Sequence, residues 1–198
     1  MSKVDILIEQ TNFLLDSQKA SLATCKSLFA EFIQEIERHL KNAKNNEDAE
    51  ILEKVLDMVQ EQARILEDDI NEDNHFIAEQ LETLKKIKAH QDPKAAEEML
   101  QMMVDVEHIM DTEDFKKSVE EESLVSQGNL RTMIDDLIGA LEEGGAQEVM
   151  LLLEALNDLG DSLEEDEFLD EDEWEMAVLR HVLVVVIPKL IFLRHLAN

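Results

Sequence analysis

The sequence predicts an all-α protein: a long N-terminal antiparallel helical hairpin, coiled-coil-like, and a C-terminal bundle of shorter helices around an apolar C-terminal helix. Three observations carry this reading. Helix breakers are scarce, since Gly128 is the first glycine and Pro93 the only proline before it. Apolar residues recur at three- and four-residue steps along most of the chain. No stretch before residue 180 alternates with period two, so no sheet is expected.

The first helix is expected from about Val4 to Ala43. Leu15, Leu22, Cys25, Phe29, Phe32, Ile36 and Leu40 form a heptad-like stripe, broadened by Leu14, Leu28 and Ile33. "KNNEDAE" then breaks the pattern. Asn46 or a neighbour can turn the chain, and Glu47 and Asp48 suit the positive end of a new helix. The second run is Leu52, Val55, Leu56, Val59, Ala63, Leu66, Ile70, Ile77, Leu81, Leu84 and Ile87. Both stripes are wider than a two-stranded seam. The C-terminal helices or a second subunit should therefore cover them, and a homodimer or a larger helical assembly is expected.

"HQDPKAAEEM" marks a boundary, giving an expected division into a hairpin over 1–91 and an acidic bundle over 92–198. Asp92 is a good N-cap and Pro93 suits the first helical position, where its missing N–H costs nothing. A helix to about Met110 places Met99, Met103, Val106 and Met110 on one face. "EEMLQMMVDVEHIM" holds four of the nine methionines, which we read as core in preference to an adaptable partner surface. Thr112 can cap a helix bearing Phe115 and Val119. "SQGNL" should end it, with Asn129 capping another that carries Leu130, Met133, Ile134, Leu137 and Leu141. Gly144–Gly145 supplies a left-handed C-terminal cap. A last amphipathic run holds Val149, Met150, Leu152, Leu153, Leu156 and Leu159.

The charge is extreme and uneven. The 198 residues carry a formal net charge of -29. Residues 1–91 hold 19 acids and 11 bases, whereas residues 92–198 hold 28 acids and 7 bases. Like-charge repulsion disfavours direct binding to nucleic acid phosphates, and a partner with a basic surface is favoured. The single cysteine, Cys25, excludes an intramolecular disulfide and a Cys-based metal site; on an apolar helix face it reads as core. "MSKVDILIEQTN" has no signal-peptide pattern, so a cytoplasmic protein is expected.

Three constellations invite a chemical reading. In "DINEDNHFIAEQ", Asp69, Asn71 and Asp73 match the first ligand positions of an EF-hand loop. Asn74 stands where glycine belongs and Gln80 where the bidentate glutamate belongs, so a polar stretch of helix is the better reading. Carboxylate–x–x–His recurs at Glu72/His75 and Asp105/His108, as in di-iron bundles, but both pairs fall on polar faces; Glu35/His39, beside Ile36 and Leu40, is the one inward candidate. Residues 161–175 hold ten acids and no base, with Phe168, Leu169 and Trp174 embedded among them. These apolar residues either anchor a basic partner or pin the segment to the bundle. No GxSxG, P-loop, GxGxxG or HExxH occurs, so no enzyme, cofactor or metal is expected.

The C-terminal "RHVLVVVIPKLIFLRHLAN" is long enough to span a membrane from Met176 to Ala197, but Arg180, Lys189 and Pro188 interrupt it. As a strand it lacks a partner in the chain. Apolar nearly all round, it reads as a buried central helix, with Val182, Val186, Leu190 and Phe192 as candidate partner contacts beside Phe168, Leu169 and Trp174. The function expected is a non-enzymatic acidic helical interaction module, an adaptor or chaperone-like protein. Two alternatives are an acidic mimic of nucleic acid that inhibits a basic protein and a di-metal carboxylate bundle enzyme.

Overall fold

A computed structural model describes residues 1–154. Among them the regular structure is entirely helical, so the all-α class is what the chain forms. The acidic cluster and the apolar C-terminal segment lie outside the described residues.

Local sequence fixes the helix ends. Ser2 and Asp5 form a capping box at the start of α1 (Lys3–Lys41). The Asp5 N–H donates to Ser2 Oγ at 3.3 Å, and the Ser2 N–H donates back to the Asp5 carboxylate at 3.3 Å. α2 (Asn46–Lys88) opens on Asn45, the neighbour of Asn46, through a reciprocal pair with Asp48. The Asp48 N–H donates to Asn45 Oδ1 at 2.8 Å, while Asn45 Nδ2 donates to Asp48 Oδ2 at 3.0 Å. α3 (Pro93–Met103) follows Asp92, whose carboxylate accepts the Lys94 N–H at 3.0 Å, with Pro93 in the first turn. A 3₁₀ turn, η1 (Val106–His108), precedes α4 (Thr112–Glu143). A further helix, α5, runs over the described residues 146–154.

The chain forms two compact units, which group segments from both sides of residue 92. The first takes 1–24 and 66–124. Its core joins Leu84 and Ile87 of α2 to Leu100 of α3, with Val4, Leu7 and Ile8 of α1 packed against them. The buried Gln10 side chain donates to the Met110 carbonyl at 2.8 Å and so satisfies backbone that no helix uses. Ser21 and Ser123 share a hydrogen bond of 2.9 Å between α1 and α4.

The second unit takes 25–65 and, among the described residues, 125–154. Leu28, Phe32 and Ile36 of α1 meet Leu52, Val55 and Val59 of α2, the antiparallel pairing that the two stripes predict. α4 closes the open side with Leu130, Ile134, Leu137, Ala140 and Leu141, and α5 adds Val149 and Leu153. The apolar surface that the hairpin cannot cover by itself is thus covered by later helices of the same chain.

Three expectations change. α3 stops at Met103 and does not reach Met110: the β-branched Val104 is extended (φ -143°, ψ 155°), and Asp105 starts η1 by accepting the Glu107 N–H. α4 is capped by Asp111, which accepts the N–H of Glu113 at 2.9 Å, leaving the Thr112 hydroxyl to accept from Gln10. Most importantly, "SQGNL" does not end a helix. α4 passes through Gly128 and Asn129 unbroken. A helical glycine costs about 1 kcal/mol relative to alanine, which the burial of Leu130, Ile134 and Leu137 outweighs. The Gly144–Gly145 expectation holds: Gly145 is left-handed (φ 80°), and its N–H donates to the Ala140 carbonyl at 3.1 Å.

Two substitutions test these assignments in opposite directions. A Cβ built on Gly128 meets nothing within 4 Å. Gly128→Ala is therefore expected to raise unfolding stability by about 1 kcal/mol. Phe32→Ala, at a side chain only 1% exposed, is expected to lower it by roughly 3–5 kcal/mol. Urea unfolding followed by helical circular dichroism measures both; a destabilised Gly128→Ala protein would mean that α4 is broken there.

Candidate functional site

The residues singled out in the acidic strip and the tail, Phe168, Leu169, Trp174, Val182, Val186, Leu190 and Phe192, lie outside the described residues. The other candidates can be placed. The EF-hand-like stretch 69–80 is continuous α2. A calcium loop must curl its oxygens around one point, whereas a straight helix splays side chains at i, i+2 and i+4 around its circumference. Burial raises the Asp69 carboxyl above its ordinary range, and the charges of Glu72 and Asp68 add to the effect.

The acid–histidine pairs are local surface features. His108 Nδ1 lies 2.7 Å from Asp105 Oδ2, both side chains being exposed, and Asp105 is occupied as the cap of η1. His75 stands 3.3 Å from Glu79, one turn on, and not against Glu72. At the inward candidate, Glu35 accepts from Arg38 Nε at 3.0 Å and from Nη2 at 2.7 Å, and the same Nη2 is 3.4 Å from His39 Nε2. A guanidinium therefore stands between the would-be ligands and opposes a cation there. Among the described residues no three His, Cys, Asp or Glu side chains converge as metal ligands. Cys25 is half-buried against the core of the second unit, and burial pushes its thiol up, away from the reactive thiolate.

What the sequence places on the surface in quantity is carboxylate. Residues 1–154 hold 36 acidic and 15 basic side chains. Several of the bases are engaged internally. In the first unit, Lys88 reaches Asp5 at 2.6 Å and Lys116 reaches Glu9 at 2.8 Å. In the second, Arg131 reaches Glu31 at 2.7 Å and Arg38 lies 3.5 Å from Glu142. Each such bridge joins two helices and leaves the excess of acid uncompensated. The Lys88 ammonium, followed by the Ser2 hydroxyl, holds the Asp5 carboxyl at about 2.

One part of this surface combines acid with exposed apolar side chains. α3 turns Leu100 inward, only 6% exposed, and packs Ala96 and Met103 beside it. Met99, on the flank at 46% exposure, and Met102, on the far side at 89%, lie one turn apart. Because Val104 ends the helix, the following backbone swings out and leaves an open hollow of about 580 Å³ lined by Met102, Met103, Val104, Val106, Asp105 and Glu107, with Gln101. Met110, expected on the same buried face, is 50% exposed. From Ala95 to Phe115 there are seven acids and neither lysine nor arginine. Reading the methionine cluster as core held only for Met103. The missed signal was Val104, whose branched side chain disfavours helix just where the face should have continued.

No protein-family model, curated protein or solved structure matches the chain. No described helix is long and apolar enough to cross a membrane.

The Asp5–Lys88 contact has a measurable consequence. A depressed carboxyl pKa means that the folded state is favoured with Asp5 ionised. The contribution is complete above the ordinary value of 3.8 and is lost as pH falls toward about 2. Carboxyl-carbon NMR should show Asp5 titrating with a midpoint of about 2. Lys88→Met should return that midpoint toward 3.8; an unmoved midpoint would remove Lys88 as the cause.

Proposed function

We propose that the protein is a non-enzymatic, acidic helical module for protein–protein interaction, an adaptor or chaperone-like holder of a partner with a basic surface. The observation that supports it most is the uncompensated acid of the helical surface, 36 acidic against 15 basic side chains over residues 1–154, with bases such as Lys88, Lys116 and Arg131 already drawn into internal pairs. Fixed carboxylates on rigid helices raise the local concentration of a cationic partner and steer its approach. The acidic strip with Phe168, Leu169 and Trp174, and the tail positions Val182, Val186, Leu190 and Phe192, belong to this reading as partner contacts. Self-association into a homodimer belongs to it too, and sedimentation equilibrium tests that separately: a monomer mass at all concentrations would remove it.

Screening gives the main test. The Debye length falls from about 10 Å at 0.1 M salt to about 3 Å at 1 M. The full-length tagged protein, exposed to an extract of its native host, is expected to retain basic proteins at low salt and release most of them at high salt. Retained proteins are then purified and titrated directly. A bound set no more basic than that held by a neutral helical control would sink the proposal. Binding that survives high salt unchanged would favour apolar contacts over charge.

A further inference from the structure

We propose that the exposed methionine ledge of α3 and η1 docks one basic amphipathic helical segment of another protein. This rests on the reading of the protein as an acidic interaction module and names the partner chemistry for one surface of it. Met99, on the flank of α3, and Met102, on the side away from Leu100, lie one turn apart, and Met102 borders the hollow that Met103, Val104 and Val106 line together with Gln101, Asp105 and Glu107. Methionine is unbranched and polarizable, so such a face adjusts to apolar side chains of varied shape without fixing one partner sequence. A ridge of apolar side chains one turn apart is what an amphipathic helix offers to such a hollow.

Charge selects among the possible occupants. The exposed carboxylates Glu97, Glu98, Asp105 and Glu107 flank the ledge, and no lysine or arginine lies between Ala95 and Phe115. A second copy of the chain placing the same face here would bring these four carboxylates against the same four, a repulsion that the one lysine of α3, Lys94, does not balance. A helix with apolar residues on one side and lysine or arginine on its flanks meets both features at once: its apolar stripe covers the methionines, and its cations reach the carboxylates. Long basic side chains assist, since their methylene stems extend the apolar contact while the charged heads stay wet.

The test uses the full-length protein with its methionine methyl groups labelled for NMR and assigned by single substitutions. The probe is a synthetic leucine–lysine peptide whose order gives one apolar helical face. Its control is a scrambled peptide of the same composition and charge. The amphipathic peptide is expected to shift the Met99 and Met102 methyl signals and to bind about tenfold more tightly than the scrambled one. The double substitution Met99→Gln and Met102→Gln, at two exposed positions, should remove that advantage and leave the scrambled peptide's affinity unchanged. If the two peptides bind equally and the substitutions do nothing, the ledge assignment falls while the basic-partner reading stands. If neither peptide binds even at low salt, both fall. Methyl shifts that depend on protein concentration without peptide would give the ledge to a second copy. Methyls shielded from a soluble paramagnetic agent in the free protein would give it to the chain itself. Either result overturns the proposal.

Discussion

The width of the apolar stripes on α1 and α2 is the constraint on which the rest depends. In the second unit Phe32, Ile36, Val55 and Val59 lie at 2% exposure or less. Two helices packed side by side bury only the narrow strip between them, so a broader stripe requires a third helix against the groove. α4 supplies it with Leu130, Ile134, Leu137 and Leu141, and α5 adds Val149 and Leu153. Burying such a leucine or isoleucine is worth roughly 1.5–3 kcal/mol, more than the local cost of a glycine in the helix that carries it. The demand for cover therefore decides the length of α4, against the preference of "SQGNL" to turn.

Once the core is set, the ionic groups arrange themselves around it. The bridges Asp5–Lys88, Glu9–Lys116, Glu31–Arg131 and Arg38–Glu142 each join side chains of different helices. Solvent screens such partly exposed pairs, and each contributes little to stability. Each pair cancels one carboxylate against one cation, so the excess of acid is unchanged, 36 acidic against 15 basic side chains over residues 1–154, and defines the surface a partner would meet. The same logic disposes of the Glu35/His39 candidate, where Arg38 occupies the place of a metal.

The methionine ledge shows how a small backbone event creates a surface. Had α3 continued to Met110, its methionine face would have run along one side of a helix about five turns long. The extended Val104 and the Asp105-capped η1 end the helix at Met103, keep Leu100 and Met103 against the core and leave Met99 and Met102 in water. The exposed carboxylates Glu97, Glu98, Asp105 and Glu107 give that apolar surface an acidic border.

Much of this was legible in the residues. The 3.6-residue periodicity gave α1 and α2 and their antiparallel pairing, because a stripe buried on one face needs a matching stripe. Asp92–Pro93 and Gly144–Gly145 marked helix ends, because an N-cap oxygen and a left-handed glycine act through their own neighbours in the chain. Net charge likewise depends on composition alone. Other features depended on residues about a hundred positions apart. Whether Gly128 broke a helix hinged on what Leu130 and Ile134 could bury against Phe32 and Val55. Whether the methionines were core hinged on where α3 stopped and which side met Val4 and Leu7. Sequence by itself determined the helices and the sign of the surface, since both follow from local pattern and total charge. Only the tertiary structure decided which helix ends yield to burial and which apolar side chains stay exposed, since burial is a property of what packs opposite.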